Sequence, residues 1–77
     1  MMFYVYMLKG LNSKITKTYV GYTNNLKLRL KKHNSGTGAK STRGYKWKII
    51  YKKRFYDKRL AMSFEYKLKK DLKKRRY

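Results

Sequence analysis

Apolar and aromatic residues in this chain come in short runs, and the spacing within each run predicts its element. Residues 3–9, FYVYMLK, are rich in aromatic and β-branched types and predict a strand. Residues 10–16, GLNSKIT, carry Gly10, Asn12 and Ser13 and predict a turn. Residues 17–22, KTYVGY, predict a second strand, paired with the first as an antiparallel hairpin. Beyond Asn25 the spacing lengthens: Leu26, Arg29, Leu30 and His33 recur at i, i+3, i+4, i+7, so residues 26–34 predict a helix capped by Asn25. Residues 35–44, SGTGAKSTRG, predict a loop. Residues 46–56, KWKIIYKKRFY, alternate and predict a third strand with Trp47, Ile49 and Tyr51 on one face. Asp57 suits an N-cap, and residues 58–74 predict a helix, with a break near Lys70 left open. The order is ββαβα(α): one α+β domain over residues 1–77, a small three-stranded antiparallel sheet flanked by helices.

Both helices contain a residue that does not belong on an inward stripe. In the first, Arg29 and the chain's one histidine, His33, occupy it. In the second, Ala61, Phe64, Leu68 and Leu72 make the apolar stripe, and Glu65 lies about 40° from Ala61 on the helical wheel. Glu65 is the only glutamate, and lone carboxylates are rarely buried unless paired or bound to metal. Either Arg29 and Glu65 form an internal salt bridge, a poor return on two desolvated charges, or they belong to a functional cluster. Tyr6 shares a strand face with Tyr4 and Leu8, and Tyr19 shares one with Gly21. Each tyrosine alone reads as an ordinary sheet aromatic. Gly21, inside a strand, signals close approach by another backbone or a ligand.

Composition adds a partner. Lys and Arg number 23 against 3 Asp and Glu, a net charge of +20 on 77 residues. Repulsion on that scale opposes folding unless salt or a polyanion screens it. Nucleic acid fits best, because neutralising phosphates releases counterions. A membrane surface fits less well, since the basic residues are spread over every segment rather than set opposite an apolar face. The apolar opening MMFYVYML lacks a basic leader and is too short to span a bilayer, so the expectation is a soluble, intracellular protein. Without cysteine there is neither a disulfide framework nor a thiolate metal site; nine Tyr, three Phe and one Trp must supply much of the core.

Taken together these residues resemble the GIY-YIG nuclease domain, particularly its small stand-alone members. Tyr4-Val5-Tyr6 stands where the family has GIY and Tyr19-Val20-Gly21 where it has YIG, followed by Thr23, Leu26 and Arg29. The stretch NSGTGAKSTRG, residues 34–44, is similar to the loop of the stand-alone members, and Ala61, Glu65 and Lys69 match the later helix. Two departures stand out: Tyr4 replaces the glycine of GIY, and Tyr22 follows the second triplet where several such nucleases have lysine.

The resemblance implies hydrolysis of phosphodiester bonds with Glu65 holding one Mg²⁺ or Mn²⁺ ion, Arg29 on a non-bridging phosphate oxygen, and Tyr6 or Tyr19 orienting or deprotonating the attacking water. Tyrosine titrates near pH 10, so a base role requires a positive neighbourhood to lower it. His33 is a candidate for shuttling a proton or touching phosphate, and equally for packing at a helix end. Tyr22, Lys40, Arg43, Lys46, Lys67, Lys69, Lys70, Lys73 and Lys74 are candidate nucleic-acid contacts that position substrate without reading bases. DNA is favoured over RNA, since the resemblance is to DNA nucleases. So small a platform implies recognition of substrate shape or targeting by a partner protein, with repair, recombination, restriction and mobile-element roles all open. A cytoplasmic or nucleoid-associated location follows. The alternatives are a binding module with the same fold that cleaves weakly or not at all, and a small basic assembly protein. Retention of Glu65 favours the enzyme, because without a metal it would repel the phosphate backbone.

Overall fold

The computed structural model describes residues 2–11, 17–38, 42 and 44–75, with the side chains of residues 72–75 outside the description. The aromatic and β-branched runs form β1 (Phe3–Gly10), β2 (Thr18–Thr23) and β3 (Trp47–Phe55); the longer-period stretches form α1 (Leu26–Ser35) and α2 (Lys58–Arg75). β1 is central in the order β2-β1-β3, and both pairings are antiparallel. Gly10 belongs to β1 rather than to the turn: its N–H donates to the Lys17 carbonyl at 2.9 Å, and it pairs with Trp47 on the other side. Residues 12–16 of the expected turn lie outside the described residues.

Alternation of side chains divides the core between the two sheet faces. On one face Val5 and Val20 pack with Ala61 of α2, joined by Phe3, Met7, Tyr22, Phe55, Phe64 and Leu68. On the other, Tyr6, Leu8 and Trp47 pack with Leu26 and Leu30 of α1, joined by Tyr19, Tyr45 and Ile49. The helices therefore cover opposite faces, and β2 and β3 are the two edges of the sheet.

The third strand departs from simple alternation. Leu8 pairs with Ile49 but Met7 pairs with Tyr51, which leaves Ile50 as the extra residue of a β-bulge. Tyr51 is thereby turned to the α2 face, stacked on Phe64 at 6.4 Å, whereas Trp47 and Ile49 stay on the α1 face. The expectation of all three on one face is corrected: one inserted residue inverts the side of everything beyond it.

Both predicted caps form. Asn25 Oδ1 accepts from the Leu28 N–H at 3.1 Å, and Asp57 Oδ1 accepts from the Arg59 N–H at 2.9 Å. α1 ends at Gly36, whose φ of 84° is the left-handed conformation that suits glycine at this position. α2 runs unbroken past Lys70 to Arg75, since no Gly or Pro interrupts it. The chain between α1 and β3 is clasped at its end: Asn34 Oδ1 accepts from the Trp47 N–H at 2.6 Å, and Asn34 Nδ2 donates to the Trp47 carbonyl at 3.2 Å.

Candidate active site

Tyr6 lies at the centre of β1 directly opposite Gly21 of β2, and its ring crosses the space a side chain there would fill. A Cβ on Gly21 would meet Tyr6 Oη at 2.7 Å, Tyr6 Cζ at 2.9 Å and Tyr19 Cε2 at 3.0 Å. The close approach signalled by this strand glycine is thus made by two tyrosine side chains, neither a ligand nor another backbone.

α1 adds the polar partners. Arg29 Nε donates to Tyr6 Oη at 3.4 Å, and His33 Nε2 lies 2.9 Å from the same oxygen. The other imidazole nitrogen, Nδ1, is 2.9 Å from Thr42 Oγ1. The His33 ring packs on Tyr19 with centroids 4.8 Å apart, and Gly38 presses against it where a Cβ would be 2.6 Å from Nδ1. His33 and Thr42 have no exposed surface and Tyr6 only 1%. Tyr19 and Arg29 are half-buried and form the accessible part of the cluster.

Electrostatics follow from this layering. Burial pushes the Tyr6 hydroxyl above its ordinary value; the bond and charge of Arg29 oppose the shift, and the charges of Tyr19 and Glu65 add to it. Arg29 is raised, chiefly by its bond to Tyr6 with a further contribution from Tyr19, against the effect of burial. His33 is lowered, first by burial and then by the Arg29 cation. Near neutral pH the centre is therefore a protonated tyrosine between a permanent cation and a neutral imidazole. Burial thus works against a tyrosinate at Tyr6.

Glu65 arrives from the helix on the opposite face. Its side chain is 16% exposed and forms an ion pair with Lys69 Nζ at 3.1 Å, one turn along α2. Its recorded ionic partner is thus Lys69 rather than Arg29. The carboxylate is within electrostatic reach of the Tyr6 hydroxyl. Among the described residues no three His, Cys, Asp or Glu come together, so no cage of protein ligands exists there. A single, partly exposed carboxylate does suit Mg²⁺ or Mn²⁺, hard cations that keep several waters and take phosphate oxygens as further ligands.

The remaining candidates separate by position. Tyr22 points to the α2 face with Val5, Val20 and Ala61, away from Tyr6 and Tyr19. Lys46, Lys67, Lys69 and Lys70 are exposed. Lys40 and Arg43 lie outside the described residues, as do the side chains of Lys73 and Lys74. Sequence reasoning missed Thr42, Asn34 and Gly38, which hold His33 or the start of β3. Their one signal was the stretch of residues 34–44 that resembles the loop of the stand-alone members. No described helix is long and apolar enough to cross a membrane.

A family model described as the GIY-YIG catalytic domain matches residues 2–77. A UPF0213 protein of Clostridium perfringens is 50% identical over 87% of this chain and 70% of its own length. A UPF0213 protein of Oceanobacillus iheyensis is 45% identical over 86% of this chain and 74% of its own. An uncharacterized protein of Acanthamoeba polyphaga mimivirus is 44% identical over 91% of this chain and 44% of its own. No solved structure matches the chain.

Proposed function

The chain belongs to the GIY-YIG family of nucleases, and on that premise we propose that it is a divalent-metal-dependent endonuclease hydrolysing phosphodiester bonds in DNA, directed by substrate shape or by a partner protein. One observation carries this reading: Tyr6, Tyr19, Arg29 and His33 converge over Gly21 of the edge strand β2.

The layering suggests distinct tasks. Arg29 is half-buried and steadied at Nε by Tyr6, so its planar cation is set to bind a non-bridging phosphate oxygen. Tyr19 keeps exposure beside Arg29 and is the tyrosine suited to orient the attacking water and, as the tyrosinate, to take its proton. Tyr6, buried and protonated, holds Arg29 rather than touching water. His33 accepts from Tyr6 beneath the site and is a positioning group. Glu65 would hold one Mg²⁺ or Mn²⁺ ion, which when bound neutralises charge on the scissile phosphate and the leaving oxygen. The exposed lysines of α2 and Lys46 grip the backbone without reading sequence. Such a substrate places the protein inside the cell, in the cytoplasm or on the nucleoid.

The test is cleavage of labelled duplex, flapped, branched and single-stranded DNA with Mg²⁺ or Mn²⁺, beside the Glu65→Gln variant. The expected outcome is metal-dependent cutting that falls about 100-fold or more in the variant, with DNA binding retained. Equal cutting by both proteins removes Glu65 from the mechanism. Tight binding by the wild type without any cutting supports a binding module instead.

A further inference from the structure

Beneath the accessible cluster lies a chain of buried polar groups: Arg29 Nε, Tyr6 Oη, His33 Nε2, His33 Nδ1 and Thr42 Oγ1, in that order, at 3.4, 2.9 and 2.9 Å across its three hydrogen bonds. The direction of each bond follows from counting donors. Arginine only donates, so Tyr6 Oη accepts from it. Tyr6 is 1% exposed, and its own O–H must find an acceptor among its neighbours. The recorded partners of that oxygen are Arg29 and His33, and only the imidazole can accept. Nε2 is therefore bare, and the ring proton of the neutral imidazole sits on Nδ1. That proton needs an acceptor in a region with no solvent, and Thr42 Oγ1 is placed to supply it.

We infer that Thr42 is a positioning residue: its hydroxyl accepts from Nδ1–H, supporting the His33 tautomer that the Tyr6–Arg29 contact selects and, through Tyr6, the placement of the Arg29 guanidinium. With the opposite tautomer, Nε2–H would donate to Tyr6 Oη. The tyrosine O–H would then turn toward Arg29, a group that cannot accept, and the guanidinium would move away. Thr42 also has a separate backbone role: its carbonyl accepts from Trp47 Nε1 at 2.9 Å. Thr42→Val keeps that bond and the β-branched shape while removing the hydroxyl, so it isolates the contact to His33. The consequence for turnover rests on the nuclease reading above; the tautomer itself does not.

Because the chain has a single histidine, the ¹⁵N–¹H spectrum of the labelled protein at neutral pH reads its tautomer directly. The wild type and Thr42→Ser should show protonated Nδ1 and bare Nε2, and Thr42→Val should shift toward protonated Nε2. Turnover should fall on the order of 10- to 100-fold in Thr42→Val, with a much smaller loss of DNA affinity because many other cations hold the backbone, and recover in Thr42→Ser. Protonated Nε2 in the wild type overturns the inference, and that measurement needs no variant to fold. So does Thr42→Val with an unchanged tautomer or full turnover. A wild type that shows the Nδ1–H form yet cuts nothing would sink the nuclease reading and leave the tautomer lock standing.

Discussion

At Gly21 a methyl group would sit 2.7 Å from the Tyr6 hydroxyl oxygen and 3.0 Å from the Tyr19 ring. Neither ring can yield cheaply. Tyr6 is held at its hydroxyl by His33 and Arg29, and Tyr19 is packed on the His33 ring. Gly21→Ala should therefore cost about 1–3 kcal/mol in urea unfolding and reduce cleavage by displacing the oxygen that steadies Arg29. An alanine protein as stable as the wild type would show that the rings have room to move. The sequence marked Gly21 as a close approach but not what approaches, because the answer lies across the hairpin on Tyr6. It likewise put Arg29 and His33 on one stripe without revealing that one is half-exposed and the other sealed. Burial depends on what lies above a residue as well as on the face it occupies.

At the scale of elements, α2 reaches the sheet through Ala61, fully buried against Val5 and Val20. Glu65 follows it by one turn, so the depth at which α2 sits sets where the carboxylate stands. Ala61→Leu should lift the helix, destabilise the fold by about 1–3 kcal/mol and reduce metal-dependent cleavage more than DNA binding. Equal losses of cleavage and binding would show that the helix spacing does not govern the carboxylate. Elements and caps were legible in the chain, since Asn25 and Asp57 act locally. The bulge at Ile50 was not: the run KIIYKKRF alternates acceptably in either register, and only pairing with Met7 and Leu8 selects one. Nor did the pattern say that the two helices take opposite faces, which follows from which side of β1 each apolar stripe meets.

For the molecule as a whole the dominant quantity is a net charge of +20 with 3 acidic residues to offset it. Salt should then act with opposite sign on folding and on binding. Screening relieves self-repulsion, so the thermal midpoint should rise with added salt. The same salt removes the gain from counterion release, so DNA affinity should fall on the order of 10³-fold between about 50 and 200 mM if six or more phosphates are contacted. A flat affinity over that range would mean the charge is not spent on phosphates.

What the sequence determined alone was whatever short-range chemistry or composition controls: the order of strands and helices, both N-caps, the family and the overall positive charge. It also assembled the members of the cluster as a set of residue types. Tertiary structure decided their division of labour. It buried Tyr6 and His33, left Tyr19 and Arg29 half-open, sent Tyr22 to the other face and brought Thr42 from the glycine-rich connection to the imidazole. Those outcomes depend on contacts between residues 9 or more positions apart, which no local pattern encodes. Tyr6 meets Arg29 and His33 through one hydroxyl only because the folded sheet and α1 bring those groups together and exclude water from it.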